Sequence, residues 1–154
     1  MPDIDFSKLN FSSIVIKNDL RSAREKIVKP ILDQAACQGY SGRDRFALRL
    51  GLEEAICNAF KHGNKCDPHR SISARWCVGE TCVIVYVADD GVGFDPAKVP
   101  NPRCRGNLEK PSGRGLLLMK AYMTDVKYND RGNEVCMIKI KRTKSSKTSA
   151  VKKM

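Results

Sequence analysis

The chain has 154 residues, 42% of them hydrophobic and 29% charged, with a formal net charge of +11. A chain of this length fits one domain with a sizeable core, and its seven cysteines, an odd number without CxxC spacing, argue against a disulfide framework. No apolar run approaches the ~20 residues of a membrane span, and the first residues do not resemble a signal peptide, so we expect a cytoplasmic protein with no membrane partner.

The first elements are predicted to be a strand and an interrupted helix. Residues 11–17 alternate weakly in hydrophobicity, which is typical of a strand. Asn18 or Asp19 then caps a helix whose apolar residues recur at helical spacing as far as a stop at Gly39. Pro30 lies inside that pattern and should kink or split the helix.

A second helix is predicted over residues 43–62, with Ser41 and Asp44 opening it in the manner of a capping box. At ~100° per residue its apolar positions fall in two stripes on opposite sides. A helix with two such stripes is expected to pack on two sides, and polar residues project from the seam between them. The stripes are Leu48, Leu52, Ala55 and Ala59 on one side and Phe46, Leu50 and Cys57 on the other, and the seam holds Glu54, Asn58 and Lys61.

The later elements are predicted to be two hairpins separated by a long loop and a short helix. Residues 71–78 and 81–88 form the first hairpin, and a second closes around Arg131 and Gly132. Residues 91–111 contain too many prolines for a regular element and are typical of a lid or binding loop. The order of elements favours an α+β fold, a two-layer sandwich with helices on one face of a mixed, mostly antiparallel sheet.

The basic charge is concentrated at the end of the chain. The last fourteen residues hold six lysines and arginines and no acid, so +6 of the +11 lies there. We expect an ordered domain over residues 1–142 and a basic, disordered tail over 143–154. Because no aromatic residue is interleaved in the tail to stack bases, specific nucleic-acid binding is not expected. An RNA-associated protein that uses this tail is the weakest of the functional alternatives.

Three separated stretches carry the candidate chemistry. Glu54 and Asn58 are one helical turn apart, so a carboxylate and an amide oxygen face the same volume. DDGVG at 89–93 follows an apolar strand, and GRGL at 113–116 begins a helix, where backbone N–H groups can bind an anion. Each stretch alone has an ordinary explanation, as a solvated acid, a turn or a loop. All three in this order predict a nucleotide site.

These stretches resemble the three conserved boxes of the GHKL (Bergerat-fold) histidine-kinase-like ATPase superfamily. The glutamate and asparagine match the first box, and the glycine-rich stretches match the second and third. The short length, the continuation NAFKHG and the ending GNEVCMIK are similar to the bacterial anti-sigma factor serine/threonine kinases. That resemblance covers residues 10–142 and leaves the tail outside.

The resemblance implies a role for each matching residue. Glu54 would be the general base, and Asn58 would be the Mg²⁺ ligand. Asp89 would accept a hydrogen bond from the exocyclic amine of the adenine of ATP. The glycines would let the backbone approach the purine and the phosphates. Arg103, Arg105 and Lys110 are either phosphate contacts of the lid or solubilising charges. The implied ATP-binding residues are Asn58, Lys61, Asp89, Gly91, Gly93, Gly113, Arg114, Gly115 and Leu116.

The implied function is that of an ATP-binding anti-sigma factor. It would phosphorylate a serine on a STAS-type anti-anti-sigma protein and would sequester a sigma factor, and a homodimer is left open. A second hypothesis is an ATP-binding adaptor that switches partners without phosphoryl transfer. Glu54 favours the kinase, because binding alone needs no base.

One departure from the resembling sequences concerns Cys136. Those sequences often have threonine in the last strand at this position, where its hydroxyl supports the adenine-binding carboxylate. Cysteine is a weaker hydrogen-bond donor. We therefore expect either weaker nucleotide binding or a water in the place of the hydroxyl, with Asp89 still sufficient for ATP binding.

Overall fold

The structure is a computed structural model that describes residues 4–91 and 111–142, with the backbone alone described over 111–114. The predicted lid and the predicted tail lie outside these ranges, and with them Gly93, Arg103, Arg105 and Lys110. The expectations for those residues, and the division of the chain at 142, stay predictions. Among the described helices, none is long and apolar enough to cross a membrane. The described cysteines are free.

A five-stranded sheet with the order β1-β2-β3-β5-β4 forms one layer of the molecule. All four pairings among the described strands are antiparallel, so the parallel pairing that a mixed sheet requires is not among them. The reason is that the β4-β5 hairpin inserts β5 between β3 and β4, the two strands that run in the same direction. The strands are β1 (Ser12–Lys17), β2 (Ser71–Val78), β3 (Cys82–Asp89), β4 (Asp125–Tyr128) and β5 (Glu134–Ile140).

The two faces of the sheet have different neighbours because side chains alternate along each strand. Val83, Val85 and Val87 of β3 face the helices and belong to the main hydrophobic core. Ile84 and Tyr86 face the other way and pack in a smaller cluster beside the N-terminal residues. The helices therefore cover one face of the sheet, and the predicted α+β two-layer sandwich is confirmed.

The predicted interruption at Pro30 is present. Asp19 caps helix α1 (Leu20–Ala23) by accepting the Ser22 N–H at 3.1 Å. A π-helical turn follows over Arg24–Val28, and helix α2 (Lys29–Cys37) then begins with the proline in its first turn. Proline has no N–H to donate, so the preceding turn adjusts its hydrogen-bond pattern rather than continuing as an α-helix.

Helix α3 (Gly42–Asn58) begins as predicted but packs on fewer sides. Ser41 accepts the Asp44 N–H at 3.0 Å, as an N-cap does. The Asp44 carboxylate is buried and accepts the N–H of Arg142 at 2.9 Å, so it does not complete the capping box. Leu48 and Leu52 are fully buried, but Phe46 is 59% exposed. The expectation of packing on both stripes holds only in part, because Leu50 and Cys57 of the second stripe are half-buried while Phe46 is not covered.

Helix α4 (Pro111–Tyr122) packs beside α3 and completes the helical layer. Met119 and Met123 are buried, and a Cβ at Gly51 of α3 would stand 2.8 Å from Met123. The absence of a side chain at Gly51 therefore permits close contact between the C-terminal part of α4 and the middle of α3. This contact fixes where the N-terminal half of α4 meets the end of α3.

Candidate nucleotide site

The end of α3 changes its hydrogen-bond pattern at the predicted site. A π-helical turn over Ala59–Gly63 follows Asn58 directly, and the Asn64 N–H bonds to the Ala59 carbonyl at 2.8 Å. Single π-helical turns are rare and occur often at functional sites. Here the wider turn ends the helix with Gly63 and Asn64 turned toward the end of β3.

The two adjacent glutamates of α3 have different surroundings. Arg24 binds the Glu53 carboxylate through Nε, at 3.0 and 3.3 Å to its two oxygens. Among the described side chains, none forms a hydrogen bond or ion pair with the Glu54 carboxylate. Partial burial raises the pKa of Glu54, and the charge of Glu53 adds to this effect. Of the two glutamates, Glu54 is thus the one whose carboxylate is left available to a ligand.

Gly115 of α4 lies directly against the polar end of α3. A Cβ at this position would be 2.8 Å from Asn58 Nδ2, 3.0 Å from Asn58 Oδ1 and 3.1 Å from Glu54 Oε2. These distances bring together three of the predicted site residues from two separate boxes. They also explain why a glycine stands here, because any side chain would displace the amide or the carboxylate.

We expect Gly115→Ala to weaken Mg²⁺-dependent ATP binding by about tenfold or more while leaving the fold intact. The added Cβ contacts the flexible end of Asn58, which can move away at small cost, and alanine is favoured over glycine in a helix by about 1 kcal/mol. Calorimetric titration with ATP and thermal unfolding would measure the two effects. Gly42→Ala, where the nearest atom to a new Cβ is 4.0 Å away, is the matched control.

Asp89 stands at the end of β3 on the helix-facing side. Its N–H bonds to the Asn133 carbonyl at 2.9 Å, and one carboxylate oxygen accepts the Gly91 N–H at 2.8 Å. A Cβ on Gly63 would overlap this carboxylate, and one on Gly91 would overlap the Gly63 carbonyl. Burial raises the pKa of Asp89, whereas the Gly91 hydrogen bond opposes that shift. Two glycines thus allow a half-buried carboxylate to sit between the end of α3 and the turn after β3.

Asn64 is a site residue that sequence reasoning missed. It is fully buried, and its amide nitrogen donates to Asn18 Oδ1 at 2.9 Å and to the Ser71 carbonyl at 2.8 Å. Its amide oxygen accepts the Asp90 N–H at 2.8 Å. The side chain therefore joins the end of α3 to the turn that carries Asp89. The available signal was the pair Gly63-Asn64 at the predicted helix end, where a polar side chain often satisfies backbone groups.

Tyr128 of β4 is a second site residue that was missed. Its hydroxyl lies beside the side chain of Asn58, and its ring packs against the main core. Burial raises the pKa of Tyr128 to about 12, and the charge of Asp89 adds to the shift while Asn58 opposes it. Tyr128 therefore lies near both Asn58 and Asp89. A lone tyrosine in a short predicted strand gave no signal of this role.

The remaining predicted residues are less central. Lys61 is exposed on the π-helical turn, and Leu116 is 8% exposed and belongs to the core, so only the backbone of Leu116 is left to meet a ligand. Gly113 and Arg114 lie in the first turns of α4, and their surroundings fall outside the described residues.

Residue 136 does not lie beside the adenine-binding carboxylate, as the expectation for Cys136 assumed, and the expected effect on nucleotide binding stays a prediction. This residue pairs with Tyr86 across β3 and β5, on the face of the sheet away from the helices. Asp89 is three residues beyond Tyr86, so the alternation of the strand turns it to the opposite face. The β5-side neighbour of Asp89 is Asn133, so the identity of residue 136 does not decide how the carboxylate is supported.

The donor set of the site suits a hard cation held together with a phosphate. Asn58 and Glu54 offer oxygen atoms side by side, next to the backbone of α4. Within the described ranges, no group of three or more His, Cys, Asp or Glu residues could hold a metal by itself. A cation here would take most of its ligands from phosphate and water, as Mg²⁺ does at nucleotide sites. The residues present therefore fit Mg²⁺ bound with a nucleotide.

The fold has two polar centres, Glu54 with Asn58 on α3 and Asp89 after β3, and this arrangement is the one expected of a nucleotide-binding domain. Residues 16–139 match the family model of the histidine kinase-like ATPase domain. The chain is 32% identical over 112 residues to the serine-protein kinase RsbW of Bacillus licheniformis, which is 68% of this chain and 70% of that protein. It is 30% identical over 94 residues to the serine/threonine-protein kinase BtrW of Bordetella bronchiseptica, 60% of this chain and 66% of that protein.

A further relative is the anti-sigma F factor of Clostridium perfringens, 26% identical over 98 residues, which is 60% of this chain and 69% of that protein. The chain belongs to the histidine kinase-like ATPase domain family, and its relatives place it among the anti-sigma factor kinases of the GHKL ATPases. The predicted family is therefore confirmed.

Proposed function

We propose that this protein is an ATP-dependent protein serine/threonine kinase and anti-sigma factor. It phosphorylates a serine on a STAS-type anti-anti-sigma protein and sequesters a sigma factor. The relatives named as serine-protein kinases and as an anti-sigma F factor support both activities. The observation that carries the proposal is the available Glu54 carboxylate, one turn from Asn58 and directly below Gly115.

Each polar centre has a separate task in the proposed reaction. Asp89 accepts a hydrogen bond from the adenine amine, and this selects ATP over GTP because guanine presents a carbonyl there. The N-terminal part of α4 directs backbone N–H groups toward the phosphates. Asn58 would hold Mg²⁺, which neutralises charge on the phosphates when it is bound.

Glu54 acts on the acceptor serine. Its carboxylate takes the hydroxyl proton as the serine oxygen bonds to the γ-phosphorus, and the bond between that phosphorus and the bridging oxygen breaks to release ADP. Partial burial raises the pKa of Glu54, so its carboxylate accepts a proton more readily than that of an exposed glutamate.

The competing proposal is an adaptor that binds ATP and changes partners without phosphoryl transfer. To distinguish the two, the protein is incubated with γ-labelled ATP and the STAS-type proteins encoded near sigma factors in its genome. We expect label on a serine of one of them, together with retention of a sigma factor on the immobilised protein in the presence of ATP. Nucleotide-dependent retention without any labelled serine would favour the adaptor.

A further inference from the structure

Asp90 has no role in the proposed function, but it lies at the point where strands β2 and β3 separate. The pairing of the two strands ends with Ile72 opposite Asp89. The Asp89 N–H bonds away from β2, to the Asn133 carbonyl, so the next N–H, that of Asp90, points toward β2. A continued ladder would therefore join Asp90 to the main chain of Ser71 by two hydrogen bonds.

Side chains replace both of these ladder bonds. The Asn64 amide lies between the two strand ends, where it accepts the Asp90 N–H at 2.8 Å and donates to the Ser71 carbonyl at 2.8 Å. The Ser71 N–H donates to the Asp90 carboxylate at 2.6 Å instead of to a main-chain carbonyl. The carboxylate of Asp90 thus holds the beginning of β2, while the backbone leaves the sheet directly after Asp89.

The turn that begins here determines how the Asp89 carboxylate is held. One oxygen of this carboxylate accepts the Gly91 N–H at 2.8 Å, which is the bond of an Asx-turn. Gly91 comes this close because it has no side chain, since a Cβ there would overlap the Gly63 carbonyl. The peptide between Asp90 and Gly91 supplies the bonding N–H, so the position of Asp90 sets the direction of the Asp89 carboxylate.

We infer that Asp90 is a positioning residue for nucleobase selection. Its carboxylate anchors the turn to Ser71, and the turn directs the Asp89 carboxylate toward the adenine amine. This inference rests on the proposed function, in which Asp89 selects ATP through that amine. Although Asp90 is exposed, its carboxylate has a backbone partner, so its substitution should change how the turn is held.

The test compares the binding of ATP with that of purine riboside triphosphate, which lacks the exocyclic amine, by calorimetric titration with Mg²⁺. Wild-type protein should bind ATP about 10- to 100-fold more tightly, the usual contribution of a hydrogen bond to a charged group. In Asp90→Ala this ratio of affinities should fall by about three- to tenfold, as the loss of one anchoring hydrogen bond implies. The ratio is the quantity to compare, because loss of the Asp90 charge affects both triphosphates alike.

Two further variants separate positioning from charge and from a general loss of stability. Asp90→Asn removes the same charge but keeps an oxygen that can accept the Ser71 N–H, so it should retain the wild-type ratio to within about twofold. Asp5→Ala removes another exposed carboxylate that accepts a backbone N–H, that of Ser7 at 3.1 Å, in the N-terminal segment outside the site. It should also retain the wild-type ratio.

An unchanged ratio in Asp90→Ala would overturn the inference and leave the proposed function standing. An equal fall in Asp90→Asn would overturn it as well, since the effect would then come from the charge. If wild-type protein bound neither triphosphate, or bound both equally, the proposed contact of Asp89 with adenine would fail, and the inference would fail with it.

Discussion

Glu54→Gln should lower phosphoryl transfer to the acceptor serine by roughly 10²- to 10⁴-fold, the usual contribution of a positioned general base. Glutamine has nearly the same shape but cannot take the hydroxyl proton. ATP affinity should stay within about twofold, because the change alters neither the Asp89 carboxylate that is proposed to bind adenine nor the start of α4. Single-turnover transfer of labelled phosphate and calorimetric titration of ATP would measure the two quantities separately.

Glu53→Gln is the matched control, since it is the same change at the neighbouring residue. Glu53 is paired with Arg24 at a partly exposed position, where an ion pair contributes about 1 kcal/mol or less. Its transfer rate should remain within about threefold of wild type. Equal rates for the wild-type protein and Glu54→Gln would remove Glu54 from the mechanism.

The pH dependence follows from the same residue. Partial burial raises the pKa of Glu54 above its ordinary value of 4.5, so transfer should decline with falling pH at a higher pH than an exposed glutamate would give. The same shift means that ionising Glu54 destabilises the fold as pH rises through its folded-state pKa. Glu54→Gln should therefore be more stable than wild type near pH 7, and the difference should vanish below about pH 4. Thermal unfolding across this range would check the sign.

Asn64→Ala should cost about 3 kcal/mol of unfolding free energy, because it leaves several buried partners without a hydrogen bond. The Asp90 N–H, the Ser71 carbonyl and the Asn18 amide all lose a bond, and a cavity opens at a fully buried position. For a domain of this size the loss corresponds to a fall in Tm of roughly 10 °C. ATP affinity should fall as well, since the turn that follows Asp89 loses its anchor.

Asn10→Ala, at an exposed position before β1, is the control for Asn64→Ala and should change stability by about 0.5 kcal/mol or less. Urea unfolding of the two variants would give the comparison. A loss below about 1 kcal/mol for Asn64→Ala would mean that water replaces the missing bonds and that the side chain does not hold the two parts of the site together.

Local rules of the sequence were enough to predict most of the fold. Pro30 interrupted its helix where the missing N–H requires it, and Ser41 capped α3. The alternation of residues 71–78 and 81–88 gave a hairpin with the expected turn. Those features depend on contacts between residues close in the chain, and sequence spacing records such contacts directly.

The parts that sequence reasoning missed depend on contacts across the fold. Phe46 lies in an apolar stripe, but only the number of layers decides whether that stripe is covered. Cys136 was assigned to the wrong face because its register against Asp89 could not be read from spacing alone. Asn64 and Tyr128 act through partners 46 and 70 positions away, Asn18 and Asn58 respectively, and a single sequence contains no record of such pairs.

The hydrogen bond between the Asp44 carboxylate and the N–H of Arg142 bears on how this protein can be labelled or immobilised. It fixes the end of the described chain at the first turn of α3, fourteen residues from Asn58, which is roughly 20 Å along a helix. A fluorophore or surface tether attached directly after residue 142 would therefore start at the end of α3 that is remote from the candidate nucleotide site. Immobilised or labelled protein should keep its ligand affinity, which makes C-terminal attachment the preferred format for partner-binding assays.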